Sequence, residues 1–261
     1  MQTRITKKFK ELKKSGKKAF VPFITAGDPD LKTTEKLLHV LEKSGAALIE
    51  LGVPFSDPMA DGPTIQKASE RALKNKINLN HIFSLVKKTR RTSQIPIVLM
   101  GYYNPILQHG LKKFAQSCHE SGVDGLIIVD LPLEEAGPLK KALKNLPIDL
   151  IYLLTPTSQN ERIQRVAKVA RGFVYYVSFT GTTGASRLKA DDVKKNLQRL
   201  RLHLKLPIVV GFGISTPQQV RQISAFADGV VVGSALVKII EKHGKNKKLP
   251  SEIEAWVKKL T

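Results

Sequence analysis

The chain has 261 residues, of which 42% are hydrophobic and 25% charged, a composition that is typical of a folded globular protein and excludes general disorder. Cys118 is the only cysteine, which excludes an internal disulfide, a cysteine zinc cluster and a redox pair, and predicts a reducing cytoplasmic location. The formal net charge of +21 would attract polyanions, but the basic segments read as solvated helix faces without interleaved aromatics. Specific nucleic-acid binding is therefore not expected.

Strand-like, β-branched runs alternate with amphipathic helical runs along the whole chain. The basic segment KKFKELKKS at 7–15 predicts a helix across the bottom of the fold, and the segment ALIELGV is followed by two helical stretches, near 64–74 and 80–91. No apolar run reaches the roughly 20 residues that a membrane span needs, so no membrane association is expected. In chain order, the predicted strands are FVPFIT, ALIELGV, PIVLMGY, GLIIVDL, DLIYLLT, FVYYVSF, PIVVGFG and GVVVGS.

Eight strand–helix units without an intervening linker predict one closed parallel barrel. A length of 261 residues also allows two small domains, but no shift in composition marks a boundary. We therefore predict an α/β fold: a single-domain TIM (β/α)8 barrel over residues 1–261, with an extra N-terminal helix and an extra helix after strand 2. In such barrels the active site lies at the carboxyl ends of the strands.

Three carboxylates lie in or directly after the second predicted strand, in the stretch ELGVPFSDPMADG. Glu50 shares a strand face with Leu48 and Gly52, so it points into the barrel, where desolvation raises the pKa of a carboxyl group. Asp61 precedes a helix and fits a catalytic group or a helix cap equally well. Asp57, in Phe-Ser-Asp-Pro, is more typical of a turn or a surface contact.

Glycine and small hydroxyl residues follow the last three predicted strands, in SFTGTTGAS, GFGIST and VVVGSAL. Glycines let backbone N–H groups approach an anion, and a helix beginning at Ser234 adds its positive amino end. The alternative is a set of ordinary tight turns, but the loops after the seventh and eighth strands are the usual phosphate site of these barrels. We predict a phosphate site there and a lid over residues 178–191.

No metal site is predicted, because the six histidines lie in or beside helical stretches without the spacing of metal ligands. The stretch IELGVPFSDPMADGPTIQ resembles the signature of the tryptophan synthase alpha chain family. FVPFITAGDPD, GYYNPIL, VDLPLEE, SFTGTTG and GFGIS resemble the other blocks of that family, in the same order. The high positive charge departs from the family, whose members are usually nearer neutral or acidic.

The resemblance implies cleavage of indole-3-glycerol phosphate to indole and glyceraldehyde 3-phosphate, without a metal or organic cofactor. It assigns proton transfer at the indole C3 and the glycerol hydroxyl to Glu50, charge stabilisation at the ring nitrogen to Asp61, and a neighbouring active-site position to Tyr175. It also implies a beta chain that carries pyridoxal phosphate and receives indole through a tunnel in an alpha2-beta2 heterotetramer. A stand-alone lyase that releases free indole is the alternative within enzymes.

The same resemblance assigns residues to three further groups. Around the indole it places Phe23, Tyr102, Leu126, Ile128 and Val231. At the lid and the phosphate it places Thr183, Gly184, Gly213, Gly233 and Ser234, to which the glycine-rich end of the seventh strand adds Gly211. Facing the beta chain it places Pro54, Asp57, Asn104 and Pro132.

Overall fold

The computed structural model describes residues 2–178 and 190–260. Nine parallel strands form one sheet in the order β5-β4-β3-β2-β1-β9-β8-β7-β6. The strands are β1 Ala19–Thr25, β2 Ile49–Gly52, β3 Ile97–Gly101, β4 Gly125–Ile128, β5 Asp149–Ile151, β6 Leu153–Leu154, β7 Val174–Val177, β8 Ile208–Gly211 and β9 Gly229–Val232.

Strands β5 and β6 lie at opposite ends of that order, yet only Tyr152 separates them in the chain. The Tyr175 amide donates to the Tyr152 carbonyl oxygen at 3.1 Å, so the pairing with β7 continues through the interruption. The two short strands therefore act as one barrel strand and close the sheet. The prediction of an eight-stranded TIM barrel is confirmed.

Helices surround the sheet, because parallel strands must be joined by crossover connections. The extra helix after strand 2 is confirmed, since α3 and α4 both lie between β2 and β3. Helices α5 and α12 were not predicted. In the described residues the helices are α1 Arg4–Lys14, α2 Leu31–Lys43, α3 Pro63–Lys74, α4 Leu79–Thr89, α5 Tyr103–His109, α6 Leu111–Ser121, α7 Gly137–Ala142, α8 Asn160–Val169, α9 Ala190–Arg201, α10 Pro217–Ser224, α11 Ser234–His243 and α12 Leu249–Val257.

Two layers of buried apolar side chains pack on the two faces of the strands. An outer cluster joins the strands to the helices and includes Ile49 and Leu51. An inner cluster fills the barrel and takes the alternate strand positions, among them Leu48. Side chains alternate across a strand, so a residue's cluster shows which way it faces.

Helix α1 closes the bottom of the barrel, as predicted. Its buried residues Ile5 and Phe9 belong to the inner cluster, where burial contributes about 1.5–3 kcal/mol per large apolar side chain. Thr3 donates to Asp149 Oδ2 at 2.6 Å, and Arg4 pairs with Asp124 Oδ1 at 2.8 Å. The polar residues at the amino ends of the strands are thus engaged in structural contacts, which leaves the opposite, carboxyl end for chemistry. Within the described residues no helix is both long and apolar enough to cross a bilayer.

Candidate active site

Glu50 is a carboxyl group enclosed by the interior of the barrel. It lies on β2 between Phe23 of β1 and Val98 of β3, both of which belong to the inner cluster. Its side chain is fully buried, and neither carboxyl oxygen has a hydrogen-bond partner in the part of the chain that the structure describes. Burial raises the pKa of Glu50 to about 8. At neutral pH it is therefore protonated and able to act as an acid.

Asp61 lies in the loop between β2 and α3, at a cleft above Glu50. The N-cap of α3 is Gly62, which makes no side-chain cap, so Asp61 is not the helix cap that its sequence position also allowed. The Gln66 side chain instead donates to the Asp61 backbone carbonyl at 2.8 Å, a contact that does not engage the carboxylate. Burial raises the pKa of Asp61 to about 6, while a hydrogen bond with the Tyr102 hydroxyl opposes the rise.

The cleft beside Asp61 is lined mostly by apolar side chains and glycines. The Tyr102 hydroxyl also accepts from the Ala60 amide at 3.0 Å, which fastens the loop before Asp61 to the residue that follows β3. Phe23 lies against Gly52, because a Cβ on that glycine would come within 2.6 Å of the Phe23 ring. The lining residues are Phe23, Thr25, Gly52, Val53, Asp61, Ile65, Ser69, Met100, Gly101, Tyr102 and Val129.

Tyr175 lies on β7, across the barrel from β2. Only 2% of the residue is exposed, and burial raises its pKa well above the ordinary value, with smaller contributions from the negative charges of Glu50 and Asp61. A Cβ on Gly211 would lie 1.9 Å from the Tyr175 hydroxyl oxygen. Glycine at 211 thus makes the room that Tyr175 occupies.

The assignment of Leu126 and Ile128 to the indole pocket requires correction. Both belong to the outer cluster, whereas Ile127, between them, belongs to the inner cluster. Val129, on the same face as Ile127, lines the cleft. The assignment is displaced by one residue, and a displacement of one residue on a strand reverses the face. Ile128 instead lines a second cavity, of about 230 Å³, at the ends of β4, β5 and β6.

The backbone beyond β8 makes an unusual turn, and β9 leads directly into the uncapped start of α11. Phe212 and Gly213 adopt φ angles of 68° and 74°, and glycine is the residue that takes such a conformation without strain. Gly233 precedes α11 without a side-chain cap, so the first amides of α11, from Ser234 onward, are available to an anion. Val231 of β9 lies in the inner cluster. Thr183, Gly184 and most of the predicted lid fall outside the described residues.

The residues predicted to face a partner lie around the rim on the same side as Asp61. Asp57, Asn104 and Pro132 are exposed, whereas Pro54 is buried. Met59, in the same loop as Asp57, is 77% exposed, which is unusual for a large apolar side chain. In the described ranges, no group of three or more His, Cys, Asp or Glu side chains is arranged to hold a metal ion.

Comparison with known proteins identifies the family. The family model "Tryptophan synthase alpha chain" matches residues 9–260. The chain belongs to the tryptophan synthase alpha chain family. The alpha chain of Citrifermentans bemidjiense is 56% identical over 92% of this chain and 90% of its own length, and that of Geotalea daltonii is 54% identical over 98% and 97%.

Solved structures agree with this result. The tryptophan synthase alpha subunit of Legionella pneumophila superposes with a TM-score of 0.92 at 42% identity, covering 100% of this chain and 97% of that one. A structure of the tryptophan synthase a2b2 complex from Pyrococcus furiosus gives 0.85 at 41% identity, covering 93% and 97%. The family cleaves indole-3-glycerol phosphate to indole and glyceraldehyde 3-phosphate. This chain is accordingly a carbon–carbon lyase of tryptophan biosynthesis.

Proposed function

We propose that Glu50 and Asp61 together perform the cleavage of indole-3-glycerol phosphate in this chain. The observation that supports the proposal most directly is the Glu50 carboxyl group, fully buried without a hydrogen-bond partner among the described residues. Leaving such a group unsatisfied costs several kcal/mol, a cost that is retained where the group has a function. Asp61, on the loop that follows the same strand, lines the adjacent cleft.

The reaction requires the indole to become its indolenine tautomer before the carbon–carbon bond can break. Protonated Glu50 donates its proton to C3 of the indole, while the Asp61 carboxylate stabilises the positive charge at the ring nitrogen and accepts the N–H proton. The Glu50 carboxylate then removes the proton from the glycerol hydroxyl next to the bond to C3. The bond electrons return to the ring, Asp61 returns its proton to nitrogen, and Glu50 is again protonated.

Each proton in this sequence is returned, and electron redistribution within the substrate completes the cleavage. We propose accordingly that the chain needs no metal or organic cofactor of its own, and that pyridoxal phosphate belongs to the beta chain. The phosphate of the substrate is held by the backbone of Gly211, Gly213 and Gly233 and by Ser234 at the amino end of α11. Thr183 and Gly184 belong to the proposed lid.

The proposed partner is a tryptophan synthase beta chain, in a complex of two alpha and two beta chains. The support is the Pyrococcus furiosus relative, which is part of such a complex, and the exposed rim beside the Asp61 loop. The proposed contacts are the exposed residues Asp57, Asn104 and Pro132, together with Pro54, which is buried in the isolated chain. Indole would leave the cleft on this side and pass to the beta chain without entering solvent.

Indole release from indole-3-glycerol phosphate, measured with and without a beta chain, tests this function. We expect slow cleavage by the isolated chain and a rate increase of at least tenfold with the beta chain, because closure of the site excludes water. Equal rates in both conditions would favour a stand-alone lyase. No cleavage in either condition would contradict the proposed reaction.

The pH dependence of kcat/KM tests the protonation states that the mechanism assigns. Asp61 must be ionised, so activity should fall as the pH drops through about 6, and Glu50 must be protonated, so it should fall as the pH rises through about 8. The substrate phosphate also titrates near pH 6. A ¹³C NMR titration of the Asp61 carboxyl separates the two groups, and a rate that keeps rising above pH 9 would contradict the assigned role of Glu50.

A further inference from the structure

Arg71 joins three elements that surround the cleft. Its guanidinium forms a two-point ion pair with Asp28, Nε to Oδ1 at 2.8 Å and NH2 to Oδ2 at 2.9 Å. Its third nitrogen, NH1, lies 3.0 Å from Glu241 Oε1. Arg71 belongs to α3, Asp28 to the loop after β1, and Glu241 to α11.

Each of these elements carries part of the proposed site. Helix α3 begins directly after Asp61 and Gly62, and its residues Ile65 and Ser69 line the cleft. Strand β1, which precedes Asp28, contributes Phe23 and Thr25 to the same cleft. Helix α11 begins at Ser234, at the proposed phosphate site.

The contact with Asp28 is built to be rigid. The Asp28 side chain is completely buried, whereas that of Arg71 is 27% exposed, so the guanidinium covers the carboxylate from the solvent side. Bidentate arginine–carboxylate pairs fix orientation as well as distance. Asn75, one turn further along, donates to the Pro29 carbonyl at 2.8 Å and so fastens the end of α3 to the same loop.

We propose that Arg71 is a positioning residue, which holds the Asp61 loop and the amino end of α11 at the separation that the substrate requires. This proposal rests on the roles proposed above for Asp61 and for the phosphate loops. The contact of Arg71 with Asp28 fixes α3, and hence Asp61, against β1. Its contact with Glu241 fixes α3 against α11. A displacement of about 1 Å at a reacting group can cost about 10²-fold in rate, so loss of the Asp28 contact, which positions Asp61, should lower kcat. Loss of the Glu241 contact, which positions the proposed phosphate site, should raise KM.

Arg71→Gln, Arg71→Lys and Glu241→Gln test the proposal. Arg71→Gln loosens both contacts, so we expect kcat for indole-3-glycerol phosphate to fall about 10- to 100-fold and KM to rise several-fold. Arg71→Lys keeps one charged contact with Asp28 but loses the two-point geometry, so it should recover only part of the loss in kcat. Glu241→Gln weakens only the exposed contact to α11, so it should raise KM about threefold with kcat nearly unchanged.

Arg90→Gln is the matched control. Arg90 pairs with the buried Asp124 at 2.6 Å, but it lies at the opposite end of the barrel, away from the cleft. We expect this control to lower the melting temperature while kcat and KM stay within about twofold, because Arg4 also pairs with Asp124.

Either of two results would overturn the proposal. One is a folded Arg71→Gln protein with wild-type kcat and KM. The other is a loss of activity in Arg71→Gln that Arg90→Gln reproduces at equal stability. If Arg71→Gln does not fold, the exposed Glu241→Gln variant decides, and an unchanged KM counts against the link to α11. Failure of the catalytic roles proposed for Glu50 and Asp61 would give a different result, namely a Glu50→Gln or Asp61→Asn protein that remains active.

Discussion

Glu50→Gln is expected to lower indole formation from indole-3-glycerol phosphate by about 10²–10⁴-fold, and Asp61→Asn by a similar factor, since proton transfer by a positioned group contributes a factor of that size. Glutamine has nearly the volume of glutamate but cannot deliver a proton to C3 or accept one from the glycerol hydroxyl. Asparagine cannot balance charge at the ring nitrogen. Both variants keep the shape of the original side chain, so both should fold.

Steady-state indole release and circular dichroism, measured on the same preparations, test this expectation. Glu70→Gln is the control, because it removes an exposed carboxylate from α3 without contact with the cleft. Its activity should lie within about twofold of wild type, as expected for an exposed charge. Near-normal turnover by a folded Glu50→Gln or Asp61→Asn protein would contradict the proposed roles.

The barrel was predictable from the sequence because strand-like and helical runs alternate regularly along the chain. Eight short apolar runs separated by amphipathic helical stretches leave few alternatives to a closed parallel sheet. The division of the fifth barrel strand at Tyr152 was not predictable, since DLIYLLT is apolar and strand-like throughout after Asp149. Its interruption depends on how β4 and β7 meet that strand from opposite sides.

The direction of individual side chains was predictable only where a polar residue marked the strand. Glu50 interrupts an apolar run, and its inward orientation agrees with the inner position of Leu48. In GLIIVDL, both faces of the strand are apolar, as is usual in parallel sheets, so the sequence does not distinguish inside from outside. The assignment of Leu126 and Ile128 came from the family resemblance, and the apolar pattern of the strand gave no means of seeing that these two side chains face outward.

Contacts between distant segments of the chain could not be predicted from the sequence. The ion pair of Arg71 with Asp28 joins residues 43 positions apart, and neither lies in a pattern that indicates the other. Asp61 is an intermediate case, because Asp-Gly-Pro fits a helix cap as well as a functional group. The structure excludes the helix cap, because Gly62 is the N-cap of α3, and the catalytic role of Asp61 stays a prediction.

The same burial that prepares Glu50 as an acid should make the protein less stable at high pH. Its pKa is about 8 in the folded protein and near 4.5 when exposed in the unfolded chain. Between these values the folded state binds one more proton than the unfolded state, so the free energy of unfolding falls as the pH rises. The stabilisation is complete below pH 4.5 and is lost by the time the pH passes about 8.

Urea unfolding at pH 5 and pH 9 measures this loss. Each unit of pKa shift corresponds to about 1.4 kcal/mol, so Glu50 should account for a decrease of roughly 4 kcal/mol between these two pH values. Glu50→Gln cannot ionise and should show a decrease smaller by that amount, although its activity is lost. Equal pH dependence in the two proteins would mean that Glu50 is solvated or paired in the folded state. The expected difference instead means that the barrel gives up stability at high pH to hold an unpaired acid beside its substrate.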